Sequence, residues 1–368
     1  MENQKLDDYF GYTEAGSSLE GEMRAGLTTF LTMAYILFVN PDMLSIAGIP
    51  FDDALFATAM AAFVGCVIMG LWANQPYALA PGMGLNAYFV FGVVLSQGIA
   101  WELALAAVLV EGVLFMIISL PQVGWRSKMI NSIPKDLKIA TMAGIGMFLA
   151  IIGLREMGWI VDNGATLVDL GATGTWTHMS GELWGLIGLL AIAVMMARGM
   201  KGAIIYGVIG VSVIGWVLGV HDPYTGTDAA MPEEWFGFVG MPEESLFAVT
   251  SAFGDISDNL SAFLLVMITF LFVDIFDTAG TLYGVGKMAG KVDENDNLEG
   301  ADEAFMSDAG ATIVGALCGT STTTTYIESA AGIEEGGKTG LVAVVVGVLM
   351  LTGPVSYTHL TLPTNREG

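Results

Sequence analysis

The sequence predicts an all-α, polytopic membrane protein, and three observations carry that prediction. Of its 368 residues, 54% are hydrophobic and only 14% charged, against roughly 45–50% and about 25% in soluble globular chains. Its mean hydropathy is +0.65. Apolar windows of about 20 residues, the length a helix needs to cross the hydrocarbon core, recur along the chain. A soluble enzyme, a disordered chain and a disulfide scaffold are all excluded by the same numbers.

The first 22 residues are polar and acidic, without an apolar h-region or a small-residue cleavage site. No signal peptide is expected, and the first span itself directs insertion. Apolar windows place eleven spans near 25–46, 55–73, 77–99, 102–120, 138–154, 182–197, 203–220, 262–283, 305–318, 320–333 and 339–353. Lys and Arg orient them, because cytoplasmic loops carry the excess of positive charge. Lys5, Arg24, Arg126, Lys128, Lys135, Lys138, Arg198, Lys201, Lys287, Lys291 and Lys338 share one side if each window crosses once. The opposite side receives Arg155. A multi-pass protein of the plasma (cytoplasmic) membrane with a cytoplasmic N-terminus is expected. After Gly353-Pro354 the chain reads VSYTHLTLPTNREG, neither an apolar span nor a charged tail. Residues 355–368 are expected to be a non-native read-through, with the natural protein continuing past residue 354.

The formal net charge is −24, with acids clustered at Asp52 and Asp53, Glu233 and Glu234, Glu243 and Glu244, and between Asp293 and Asp302. Such a balance argues against nucleic acid or anionic lipid as a specific partner. Cys66 and Cys318 lie in apolar surroundings, and His178, His221 and His359 are scattered. Neither a disulfide framework nor a metal site is expected.

Two spans open on poor helix formers: PYALAPGMGLNAYF (76–89) in the third and CGTSTTTTYIESAAG (318–332) in the tenth. Gly, Pro and Thr disfavour a continuous helix, and irregular backbone at membrane depth is tolerated only where it lines a cavity or is buried in protein. The first and eighth spans also echo each other, with ILFVNPDML (36–44) and FLFVDIFDTAGTL (270–282). That spacing suggests an inverted repeat with broken helices near the midplane.

Carboxylates inside spans cost roughly 2.5–3.5 kcal/mol to insert and therefore mark function. Four candidates stand out: Glu111, Asp274, Asp277 and Glu328. Asp274 and Asp277 are three apart and share a helix face. A metabolite anion would be repelled by them, whereas a flat, N–H-rich molecule such as a purine suits carboxylate acceptors. Desolvation also favours the neutral form of a carboxylate, which lets such a group carry a proton.

At these residues the sequence resembles the nucleobase/ascorbate transporter family, in its hypoxanthine–guanine–adenine (AzgA-like) permease branch. The resemblance runs from about Asp8 to Gly353 through AGLTTFLTMAYILFVNP, ALAPGMGLNAYF, INSIPKDLKIATMAGIGMFLAIIGL, FVDIFDTAGTL and TYIESAAGIEEGGKTGL. It implies an inverted-repeat transporter of seven plus seven spans, about eleven of them present here, with short extended segments in spans three and ten. The implied division is a core domain at 1–123 and 262–354, a gate domain at 124–220 and an extracellular loop at 221–261. It further implies purine contacts from Asp274, Glu328, Asn86, Gly84 and Thr325, with Asp277 and Glu111 in proton coupling or site support. The expected activity is purine import by proton symport, with no cofactor beyond the proton, in a homodimer. Uracil or xanthine transport by the same fold is the alternative, and anion transport by a related architecture a more distant one.

Two patterns mislead. Gly332 to Thr339 fits the P-loop pattern GxxxxGK[ST], but it links two membrane spans rather than a strand and a helix of a soluble sheet. GVGKMAG (284–290) reads as a helix exit with a snorkelling lysine. An intramembrane aspartyl hydrolase would need aspartates facing each other from different helices, whereas Asp274 and Asp277 lie on one.

Overall fold

The computed structural model describes residues 2–120, 122, 135–171, 180–200, 203–220, 241–254, 256–257, 259–294 and 297–357. The chain divides into two compact units, one of Met1–Met142 with Phe238–Tyr357 and one centred on Ala143–Gly237.

The first unit begins with α1 (Glu2–Phe10) and α2 (Leu19–Met33). Ser18 caps α2 by accepting the Gly21 N–H at 3.1 Å. A tight turn at Ala34–Tyr35, held by Leu37 N–H to Ala34 O at 3.1 Å, separates α2 from α3 (Ile36–Ile46). The first span is thus interrupted by one tight turn that stays in the right-handed helical region. α4 (Phe51–Ile68) runs into a π-helical turn, Met69–Ala73, which Asn74 ends in the left-handed region at φ 47°. Then come the strand β1 (Leu79–Pro81), the short helix α5 (Met83–Ala87), a π-helical stretch Tyr88–Leu95, and α6 (Trp101–Ser119).

The second unit contains most of α7 (Lys135–Glu156), the strands β2 (Ile160–Asn163) and β3 (Leu167–Leu170), and the packed pair α8 (Gly181–Ala197) and α9 (Ala203–Leu218). The all-α expectation needs an amendment here. β2 and β3 form an antiparallel hairpin, Asn163 opposite Leu167, whose turn is set by Asn163 Oδ1 accepting the Ala165 N–H at 2.8 Å. Short exposed strands outside an apolar window leave no hydrophobic alternation to read.

The chain re-enters the first unit through a 3₁₀ turn, Ala248–Gly254, then α10 (Leu260–Met288), α11 (Ala301–Cys318), β4 (Thr323–Thr325), α12 (Ser329–Glu335) and α13 (Leu341–Tyr357). α6 packs against α10 and α11, α4 against α11 and α13, and α2 against α12 and α13. Glycines make these approaches close, as is usual where lipid supplies no hydrophobic drive. A methyl group on Gly70 would overlap the carbonyl oxygen of Gly340, and one on Gly112 would press on Thr312 and Ile313. By length and composition, Leu19–Ile46, Phe51–Ala73, Trp101–Ser119 and Leu260–Met288 can each cross a membrane, and shorter apolar helices include Met83–Leu95, Gly181–Ala197, Ile209–Leu218 and Leu341–Thr352. The predicted 221–261 loop falls partly, and the tail from 358 wholly, outside the described residues.

Candidate functional site

The two irregular segments meet. β1 and β4 pair antiparallel, with Leu79 opposite Thr325, Ala80 opposite Thr324 and Pro81 opposite Thr323. The pairing extends beyond the strands, from Gly82 N–H to Thr322 O at 2.8 Å and from Tyr326 N–H to Ala78 O at 2.9 Å. Each strand then enters a short helix, so the chain breaks twice at the same place and satisfies both breaks with one ladder.

A two-stranded ladder leaves two outer edges, and buried backbone groups must find partners there. Side chains from the flanking helices supply them. Cys66 on α4 takes the Leu79 N–H on its sulfur at 3.1 Å and gives its S–H to the Leu79 carbonyl at 3.3 Å. On the other edge, the Thr312 hydroxyl accepts the Thr323 N–H at 3.0 Å and donates to the Thr323 carbonyl at 3.1 Å. One turn earlier on α11, Asp308 accepts the Thr325 N–H at 3.0 Å and the Thr325 hydroxyl at 2.8 Å. Tyr326 OH donates to Pro81 O at 2.5 Å, and Ser329 Oγ accepts the Ala78 N–H at 2.9 Å.

Alternation along β4 sorts its threonines. Thr323 and Thr325 turn to α11, whereas the Thr324 hydroxyl turns toward Asp277 on α10, at 3.4 Å. Thr325 is therefore buried with both its polar groups committed to Asp308. Asn86 is also buried: its amide donates to Asn40 Oδ1, and its carbonyl accepts the Ser321 hydroxyl. Asn40 in turn donates to Thr58 at 2.7 Å and Thr320 at 3.1 Å. This knot ties α3, α4, α5 and the approach to β4 together.

The remaining predicted residues separate into two groups. Glu328, at the start of α12, is half-buried and accepts the Tyr35 hydroxyl at 2.8 Å. Asp277 is also half-buried, Gly84 is exposed with nothing within 4 Å of a Cβ built on it, and Tyr326 lies close to Tyr35, Glu328 and Asp277. Glu328, Asp277 and Gly84 keep some exposure, while Tyr326 is buried among them. Asp274 and Glu111 are fully buried, neighbours across the contact of α10 with α6. Among the described residues no group of three or more His, Cys, Asp or Glu could hold a metal ion.

Sequence reasoning did not single out Tyr35, Asp308, Cys66 or the Asn40 knot. Asp308 had a visible signal, since Asp308 and Thr312 are four apart and present one polar stripe on an otherwise small-residue helix. Tyr35 had none, because an aromatic residue in an apolar window looks like packing.

The P-loop lookalike is explained by its own contacts. The backbone N–H groups of Lys338 and Thr339 do hold an anion, but it is the Glu22 carboxylate of α2, at 3.0 Å each, with the Thr339 hydroxyl at 2.7 Å. Arg24 pairs with Glu335 at 2.7 Å on the same helix interface.

A family model described as "Permease family" (Xan_ur_permease) matches residues 20–359. The guanine/hypoxanthine permease PbuG of Bacillus subtilis is 39% identical, over 98% of this chain and 80% of its own. The adenine permease AdeP of Escherichia coli K12 is 37% identical, over 94% of this chain and 74% of its own. Among solved structures, the transmembrane domain of the cyanobacterial bicarbonate transporter BicA superposes with a TM-score of 0.59 at 12% identity, covering 93% of this chain and 86% of that one. At that identity the likeness concerns the fold alone, a multi-pass transporter architecture. The chain, with its paired half-helix strands and intramembrane carboxylates, belongs to the xanthine/uracil permease family, on the branch that holds guanine/hypoxanthine and adenine permeases.

Proposed function

We propose that this protein is a secondary transporter importing purine nucleobases, hypoxanthine, guanine or adenine, by proton symport. The observation that carries the reading is the β1–β4 ladder with Glu328 and Asp277 at its open side. No Lys, Arg or His belongs to the segments that build it, 76–89, 274–278 and 320–329. Carboxylates without a cation suit a neutral ligand that donates N–H bonds, and permeases named for such ligands are the chain's relatives. Glu328 and Gly84 stand where a nucleobase would touch them, with Asp277 beside them. Asn86 and Thr325 act from behind by fixing the backbone of the two half-helices. Asp274, with Glu111, supports the site from the interior.

The inverted repeat of seven plus seven spans is supported by the matched edges of the ladder, Cys66 serving β1 as Thr312 serves β4. On this reading the core domain is 1–123 with 262–354, the gate domain includes 124–220, the N-terminus is cytoplasmic and the transporter is a homodimer.

Labelled hypoxanthine uptake in a host lacking its own purine permeases tests the proposal. Saturable uptake, competed by guanine or adenine and lost with a proton uncoupler, is the expected result. Glu328→Gln and Asp274→Asn are each expected to abolish or strongly weaken it while leaving membrane insertion intact. Retained uptake in both variants would remove the site assignment. Uptake of uracil or xanthine in place of these purines would move the substrate, and uptake of sulfate alone would overturn the nucleobase reading.

A further inference from the structure

Glu111 and Asp274 have a chemistry that the substrate site leaves unexplained. They sit within α6 and α10, which pack along one another, and each carboxyl group is a neighbour of the other in the buried interior. Both are fully buried. Neither oxygen of Glu111 receives a hydrogen bond from a protein donor, and neither does Asp274 Oδ2. Asp274 Oδ1 has the Thr278 hydroxyl within reach, at 3.5 Å. Two ionised carboxylates so placed would repel strongly, and their approach is favourable only with a proton between them.

Nothing packed around the pair supplies a positive charge instead. α6 also meets α11, the turn Ala248–Gly254 and the stretch Tyr88–Leu95; α10 also meets α5, β4, α11 and α12. The ionisable groups these bring close are Asp277 and Asp308, both acidic; Glu328, at the head of α12, is bonded to Tyr35. Tyr88 stacks edge-on to Phe270. Glu102, Asp302, Glu303, Glu334 and Glu335 lie at helix ends. Lys287 is the one cation in these elements, thirteen residues along α10 from Asp274 and so ~20 Å away.

We propose that Glu111 and Asp274 form a proton-binding pair, one proton held between their carboxyl groups, which Thr278 connects to Asp308 and strand β4. The Thr278 hydroxyl has one hydrogen and two carboxylates in reach, Asp308 at 3.0 Å and Asp274 at 3.5 Å. While the shared proton neutralises Asp274, that hydrogen belongs to Asp308. When the proton leaves the pair, Asp274 becomes a competing acceptor and draws the hydrogen from Asp308, which keeps only the two donors of Thr325. Since Thr325 lies three residues before Glu328, the substrate strand feels the change. The use of this pair in transport rests on the function proposed above; its existence does not.

Infrared difference spectra of the purified full chain in H2O and D2O read protonated carboxyl groups directly and need no nucleobase, so failure here is distinct from failure of the substrate reading. A protonated-carboxyl band is expected at neutral pH, shifted by deuterium. The double variant Glu111→Gln/Asp274→Asn should lose that part of the band, and either single substitution should shift it. Both changes keep the side-chain shape, and gel filtration is the check that each variant stays monodisperse. Thr278→Val should retain the band at an altered position. A wild-type spectrum without the band, or one that the double variant leaves unchanged, overturns the pair. An unaltered band in Thr278→Val overturns the link to β4.

Discussion

A thiol is a weak donor and a weak acceptor, yet Cys66 uses both capacities on the same residue, Leu79, in place of a neighbouring strand. Serine can repeat that pattern and alanine cannot. Cys66→Ala should therefore cost about 1–3 kcal/mol, the penalty for leaving a buried polar group unsatisfied, whereas Cys66→Ser should melt near wild type in a detergent thermal-shift assay. Tyr35 acts on the other side of the ladder by giving Glu328 its hydrogen bond. Tyr35→Phe removes about 1.5 kcal/mol or more of a charge-assisted bond, so the KM for hypoxanthine should rise about tenfold with little change in expression. If KM is unmoved, Tyr35 does not orient Glu328. At this scale the sequence was legible where charge stands out against apolar surroundings, as at Glu328 and Asp277. It was silent where the working group is a tyrosine or a cysteine, because those residues fit an apolar window without remark. Asp308 escaped for another reason: it follows Asp302 and Glu303, and a third acid so near a helix start reads as solvated.

At the scale of elements, the breaks in spans three and ten were readable from Gly, Pro and Thr, and the structure joins them by an antiparallel ladder. What composition could not convey is the register, which depends on partners over two hundred residues away. Thr312 tests how far the flanking helix maintains that ladder. Thr312→Val leaves the Thr323 N–H and carbonyl without their edge partner, and should lower both melting temperature and uptake, while Thr312→Ser should restore them. The lookalike nucleotide loop gives the complementary lesson. Its amides do bind a carboxylate, as the backbone of such a turn favours, but that carboxylate is Glu22 of the chain itself. Glu22→Ala should destabilise the α2–α12 interface by about 2–3 kcal/mol, on the strength of bonds to a charged acceptor. A fluorescent ATP analogue should show no saturable binding to the wild-type chain; saturable binding would mean that Glu22 can be displaced.

For the whole molecule, hydropathy was sufficient to identify a multi-pass protein, and the family match agrees with it. The arrangement of helices was not readable, since small residues dominate the contacts and carry no periodic signal. Gly70 and Gly340 show the cause: the surfaces touch where side chains are missing. Gly340→Leu should abolish recovery of monodisperse protein, while Gly144→Leu, where a Cβ meets nothing within 4 Å, should be tolerated. Equal yields of the two variants would show that the α4–α13 contact is dispensable. The charge asymmetry makes a separate prediction. A cysteine introduced near Lys5 should react with a membrane-permeant thiol reagent in intact cells and not with an impermeant one; the reverse result would invert the proposed topology.

The ladder also sets a timetable for synthesis. Tyr326 reaches back to Pro81 across 245 residues, so β1 leaves the ribosome long before β4 exists. During that interval the inner edge of β1 has open backbone groups at membrane depth, where water is scarce. Such a segment must wait beside protein, lipid headgroups or an insertion chaperone. The nascent chain is thus most exposed to proteolysis and mispairing between the synthesis of β1 and that of β4, and relief arrives only once β4 is inserted.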